Sequence, residues 1–298
     1  LPVSWHNHVS GDHYTISEAW LDRVQEVLDY AVDDDMYVIL NIHHDTDKEY
    51  CYPDKEHLEQ SLSYMTFIWE QLADRFGDYD EHVIFESINE PRLVETDHEW
   101  WLDMNAAECV EAVECINEWN QNFVDVVRKT GGNNATRYLM VPGYDASADG
   151  VLNDKFVLPT DTAENEGKIL VSVHAYIPYH FALQAATENE SIDQFNASEK
   201  TSTNDIDQMM EKLYAKYISN EIPVVIGEFG ARDKNGNLQS RVDYAAYYIA
   251  AARAYGMSCN WWDNNAFTGD GELFGLLDRK TVTWRYPKIV DALMKYAE

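Results

Sequence analysis

Apolar residues fall in two patterns that alternate along the chain: stripes at helical spacing, and short unbroken runs. Trp20, Leu21, Val24, Val27, Leu28 and Ala31 make a stripe that Ser17 can cap and Asp33-Asp34-Asp35 ends. A longer stripe carries Leu58, Leu62, Met65, Ile68, Trp69, Leu72 and Phe76, with Gly77 as its stop. A third passes through Cys109, Val113, Ile116, Phe123 and Val127 to Gly131-Gly132, and a fourth holds Ile206, Met210, Leu213 and Tyr217. Helices are also expected over residues 242–255 and 287–296. The unbroken runs read as buried strands at residues 1–5, 37–42, 83–85, 138–141, 169–173 and 222–226, and around residue 259. Strand followed by helix, with no Pro/Ser linker and no low-complexity tract, is the pattern of βαβ units on a parallel sheet. Seven such units are counted along the chain, where a closed α/β barrel has eight.

Composition narrows the function more than the fold. The 298 residues are enough for one large core, and a single domain over residues 1–298 is expected. Asp and Glu number 53 against 22 Lys and Arg, a net charge of −31. Such a surface repels nucleic acid and anionic membranes and disfavours a phosphorylated substrate, whereas a neutral polymer does not sense the field. Cys51, Cys109, Cys115 and Cys259 show no Cys-x-x-Cys pair, so neither a zinc knuckle nor a disulfide scaffold is indicated. No apolar run is long enough to span a membrane.

The chemistry concentrates at strand ends. Val83-Ile84-Phe85 leads into Ser87-Ile88-Asn89-Glu90-Pro91, which puts an amide and a carboxylic acid where a strand stops. An isolated Asn-Glu-Pro is usually an ordinary polar turn. A second carboxylate in the same setting changes the reading. Ile222 to Ile226 runs into Gly227-Glu228-Phe229-Gly230, where the glycines allow a sharp turn and leave room for close approach. Two carboxylates at the C-terminal ends of parallel strands, where barrel active sites sit, are what hydrolysis of a glycosidic bond needs.

Asn-Glu-Pro after one strand and Gly-Glu-Phe-Gly after a later one resemble the acid/base and nucleophile motifs of glycoside hydrolase family 5. The wider match resembles the bacterial endoglucanase branch, subfamily 4. The resemblance implies a (β/α)8 TIM-type barrel of class α/β. It aligns Leu1-Pro2-Val3-Ser4-Trp5 with the family's second strand, so the first strand–helix unit is expected upstream of residue 1. It implies a retaining endo-β-1,4-glucanase, with Glu90 as acid/base and Glu228 as nucleophile, acting on cellulose-type or mixed-linkage β-glucan. Relatives cleave xyloglucan, mannan or xylan with the same pair.

His43-His44, Asn89-Glu90, Tyr144, His174, Tyr176, Glu228 and Trp262 all stand at C-terminal strand ends, so the fold would gather them on one face. By resemblance His43 and His174 are the family's strand-end histidines, and Tyr176 hydrogen-bonds the nucleophile. Trp262 is a sugar platform by the same resemblance, and His44 and Tyr144 match features of the endoglucanase branch. Trp5, His8, Trp100 and Trp101 are candidate sugar platforms, since an aromatic face stacks on a pyranose. No cofactor or metal is expected, because carboxylates supply both acid and nucleophile. The family also implies a secreted, monomeric enzyme that forms one module of a longer chain.

Two rivals remain. One is a metal-dependent barrel hydrolase using His43, His44, Asp45, His174 and Asp263. Against it, adjacent histidines on a strand should face opposite ways, and no His-x-His or His-Glu-x-x-His spacing is present. The other is a sugar-binding barrel without activity, against which both glutamates argue.

Overall fold

The run at residues 37–42 forms strand β1 (Val38–Asn41), and three further runs form β2 (Val83–Glu86), β3 (Leu139–Pro142) and β4 (Ile169–His174). The computed structural model describes residues 1–269 and 271–297. The chain divides into two units, Leu1–Ser172 and Val173–Glu298.

In the first unit the strands pair in parallel and in sequence order. Val38 lies opposite Val83, Phe85 opposite Leu139, and Leu139 opposite Ile169. Every residue of β2 and β3 is buried, which is why these runs carry no alternation of apolar and polar positions. Helices α1 (Glu18–Asp33), α2 (Leu58–Arg75) and α3 (Ala107–Lys129) follow the stripes read from the sequence. Ser17 stands at the cap position of α1, but its side chain makes no capping hydrogen bond. The Trp69 ring of α2 packs 5.3 Å from Phe85 and 4.5 Å from Phe123 of α3. Each such buried side chain contributes about 1.5–3 kcal/mol.

Arg137 closes the end of this unit opposite the strand C-termini. Its guanidinium donates to the backbone oxygens of Phe76, Gly77, Tyr79, Asp80 and Val83 and to Asn134 Oδ1. Burial pushes its pKa down to about 10.

Residues 1–5 correct one expectation, since they form no strand. They run beside β1, with Leu1 N donating to Ile39 O at 2.7 Å and His43 N to Val3 O at 2.9 Å. Between these, Val3 N bonds the Asn41 side chain in place of a backbone carbonyl, so the regular ladder is lost.

In the second unit, β5 (Val224–Phe229) pairs in parallel with β6 (Ser258–Trp261). Ala175 N, just past β4, donates to Glu228 O at 2.9 Å. Helices α4 (Lys200–Lys216), α5 (Leu238–Ala254) and α6 (Pro287–Ala297) complete the alternation. Ala245 of α5 shares a core with Leu276 and with Ile289 and Ala292 of α6. Strand β6 is different from the rest, with Ser258 and Asn260 exposed. The four cysteines are free thiols, and no helix among the described residues is long and apolar enough to cross a membrane.

Candidate active site

In the first unit α3 fixes the strand ends. Asn120 donates to Pro142 O at 2.9 Å and accepts from Ser87 Oγ at 2.7 Å, so one buried amide ties the ends of β2 and β3. Trp69 Nε1 holds Ser87 O, and Asn89 N donates to Ile42 O at 2.8 Å. Asn89 is therefore locked beside the end of β1. Its side-chain oxygen is buried with no hydrogen-bond partner among the described residues. Such an acceptor invites a donor from a bound molecule.

Glu90 is mostly covered, its side chain 18% exposed. Arg92 stands beside it, with Nη1 at 2.9 Å from Glu90 O and 3.8 Å from Glu90 Oε2. The Arg92 guanidinium in turn lies 4.0 Å above the Trp100 ring and pairs with Glu99 at 3.4 Å. The long connection carrying Trp100 and Trp101 is thus attached to the Glu90 turn through one arginine.

Below the strand ends lies a carboxylate that sequence reasoning missed. Glu86 is buried and accepts from Ser172 Oγ at 2.6 Å and Asn41 Nδ2 at 2.9 Å. Asn41 Nδ2 is also 3.2 Å from His43 Nδ1, which links the carboxylate to the histidine. His43 and His44 do not face opposite ways. Strand β1 ends at Asn41, so alternation stops before them, and their rings pack edge to face at 4.3 Å.

The structure corrects one residue role in this unit. Trp5 is fully buried, with Nε1 on Asn41 O, so it is core and no sugar platform. Tyr144 is also fully buried; its hydroxyl donates to His98 O at 2.6 Å and accepts from Leu93 N at 3.0 Å. It supports the loop and touches no sugar. Of the other aromatics, His8 has one face stacked on Trp20 at 3.8 Å, Trp100 is half-exposed above Arg92, and Trp101 is 67% exposed.

In the second unit Glu228 sits near the end of β5, 9% exposed. Tyr176 donates its hydroxyl to Glu228 Oε2 at 2.6 Å, and His174 Nδ1 lies 3.8 Å from the same oxygen. A hydroxyl aimed at a carboxylate oxygen favours the charged carboxylate. The following glycine works by giving room and not by turning. A side chain at Gly230 would put its Cβ 3.1 Å from the Phe274 ring, which also packs 5.2 Å from Tyr176. Trp261 points into the core, with Nε1 on Phe274 O. Trp262 is the next residue along, half-buried, its backbone N bonded to Phe229 O.

Two of the donors proposed for a metal are otherwise engaged. Asp45, fully buried, accepts from Trp5 N, Tyr64 Oη and His6 Nδ1, the last at 2.6 Å. Asp263 accepts from the backbone of Asn265, Leu276 and Leu277.

Residues 1–268 match the family model described as cellulase, glycosyl hydrolase family 5. The chain belongs to that family. Endoglucanase B of Ruminococcus albus is 43% identical over all of this chain and 68% of that protein. Among solved structures, a family 5 lichenase from Caldicellulosiruptor sp. F32 superposes with a TM-score of 0.98 at 60% identity, covering 100% of this chain and 79% of that one. A family 5, subfamily 4 broad-specificity endoglucanase from Ruminococcus champanellensis, with bound cellotriose, reaches 0.88 at 44% identity over 98% and 80% of the two chains. This family 5 chain is a glycoside hydrolase of the cellulase type, and its fold class is α/β, that of the TIM-type (β/α)8 barrel.

Proposed function

We propose that the chain is a retaining endo-β-1,4-glucanase in which Glu90 is the acid/base and Glu228 the nucleophile. The observation that carries the assignment is the Tyr176 hydroxyl on Glu228 Oε2 at 2.6 Å, which keeps that carboxylate charged and aimed. Glu228 attacks the anomeric carbon while Glu90 protonates the glycosidic oxygen, and a glycosyl-enzyme forms as that bond breaks. Glu90, now a base, takes a proton from water, which displaces Glu228 and releases the sugar with net retention. The buried Asn89 oxygen, which has no partner among the described residues, accepts from the hydroxyl beside the reacting carbon. Trp262 supplies a sugar platform, and the histidines hold the carboxylates in a polar network.

The substrate is a cellulose-type or mixed-linkage β-glucan, the latter favoured by the 60% identity to a protein named as a lichenase. A polymer of that length is met outside the cell, so the enzyme is secreted. Reducing-sugar release from carboxymethylcellulose, barley β-glucan, xyloglucan and mannan, with chelator present, tests the reading. Activity on the glucans that Glu228→Ala abolishes is expected, with proton NMR showing the β-anomer first. Retention requires the two carboxyl groups about 5–5.5 Å apart, so first release of the α-anomer would replace double displacement with a single inverting step. Activity confined to xyloglucan or mannan would move the substrate and keep the mechanism. Loss of activity to chelator would restore the metal-dependent reading, and binding without turnover the sugar-binding one.

A further inference from the structure

His180 is the fourth residue after Tyr176, and Arg232 the fourth after Glu228. The near ends of these two arms are joined twice, by the Tyr176–Glu228 hydrogen bond and by Ala175 N on Glu228 O. The far ends are joined by two cations. Arg232 N donates to Ala182 O at 3.0 Å, and Arg232 Nη1 to Leu183 O at 2.7 Å. Lys234 Nζ donates to His180 O at 2.7 Å, Ser191 Oγ at 3.1 Å and Ile192 O at 3.2 Å. The ammonium has three N–H groups, and three acceptors meet them.

The segment carrying these cations is itself held from its other side. Extended chain sends alternate side chains opposite ways, and Asp233 points away from Arg232 and Lys234. It accepts from Tyr286 Oη at 2.5 Å, while its backbone N donates to Leu273 O and Arg241 Nε donates to Ala231 O. Residues 231–234 thus form a fixed bar, and residues 180–192 hang on it. Lys234 is 1% exposed. Burial, aided by Arg232, pushes it down to about 8. A buried ammonium whose bonds go to neutral oxygens is costly wherever it occurs, so its placement at this junction calls for a reason.

We infer that Arg232 and Lys234 are positioning residues that clamp the segment following Tyr176 and thereby hold its hydroxyl on Glu228. The inference rests on the reading of Glu228 as nucleophile. Neither cation touches substrate. Each acts on the reaction through Tyr176.

The pH profile of kcat/KM on carboxymethylcellulose tests this, for wild type, Tyr176→Phe, Lys234→Met and the double variant. Its acidic limb reports the free-enzyme carboxylate. Tyr176→Phe removes a donor from the charged form and raises the limb by about one pH unit. Lys234→Met is expected to raise it by about half a unit, a roughly threefold loss of kcat/KM on the limb. The double variant should match Tyr176→Phe alone. The lost charge of Lys234 acting through space would raise the limb equally with or without the Tyr176 hydroxyl, so an additive shift overturns the inference. So does an unmoved limb in a folded Lys234→Met protein. If Lys234→Met does not fold, Arg232→Met, at a half-buried position, carries the same comparison. Turnover retained in Glu228→Ala would show instead that the nucleophile is misassigned, and the inference would fall with it.

Discussion

Tyr144 donates its hydroxyl to the backbone oxygen of His98 at 2.6 Å, from a ring that no solvent reaches. The hydroxyl oxygen in turn accepts from Leu93 N at 3.0 Å. One buried side chain therefore anchors the start of the connection that carries Trp100 and Trp101. Tyr144→Phe should cost about 1–3 kcal/mol, because two backbone groups lose their partner. Calorimetry should show a melting temperature lower by a few degrees. Amides 93–98 should exchange faster, and unchanged protection there would refute the anchor.

Trp101 is 67% exposed, while Trp100 has one face on Arg92. The two tryptophans should therefore respond differently. Trp101→Ala is expected to raise KM for a soluble glucan about three- to tenfold with stability unchanged, the size of a lost stacking contact of ~0.5–1.5 kcal/mol. Trp100→Ala should also lower kcat, since Arg92 beside Glu90 loses its support. Equal effects on both parameters for both variants would mean that neither ring meets substrate.

Arg137 satisfies five backbone oxygens at once. Arg137→Met takes a donor from each of them, though Phe76 O, Tyr79 O and Asp80 O keep a second partner, and should cost roughly 2–4 kcal/mol. Arg137→Lys should recover only part of this, because an ammonium has three donors and no fork. Urea midpoints of the two variants provide the measurement. A midpoint for Arg137→Met close to wild type would remove Arg137 as a structural centre.

Lys234 also has a signature in stability. Its folded pKa of about 8 lies below the unfolded value of about 10.4, so between these values the unfolded chain holds the extra proton. Stability from this group therefore rises with pH across that window and is lowest below it. Relative to Lys234→Met, the wild type should gain up to roughly 3 kcal/mol between pH 8 and 10.4. A difference that stays flat, measured by urea unfolding at each pH, would place Lys234 in water.

Much of this was legible from the chain because parallel strands are buried on both faces, and runs such as 83–85 and 222–226 carry that fact in their composition. Glu90 and Glu228 stood out because each follows such a run. The misreadings share a cause. Trp5 is an aromatic at the end of an apolar run, where a core ring and a sugar platform have the same letter. Residues 1–5 look like a strand because extended chain bonded by a side chain, as Val3 is by Asn41, has the composition of one. Glu86 was invisible for another reason. A single buried carboxylate has no period, and the partners of Glu86 lie far along the chain, at Asn41 and Ser172.

Strand β6 has a consequence of its own. Among the described residues it pairs only with β5, and Ser258 and Asn260 face water where the other central strands are covered. A strand with one ladder unfilled is a docking rail for any extended chain that presents the complementary row of amides. Unfolding should therefore depend on protein concentration, and an added strand-forming peptide should act as a stabilising ligand does.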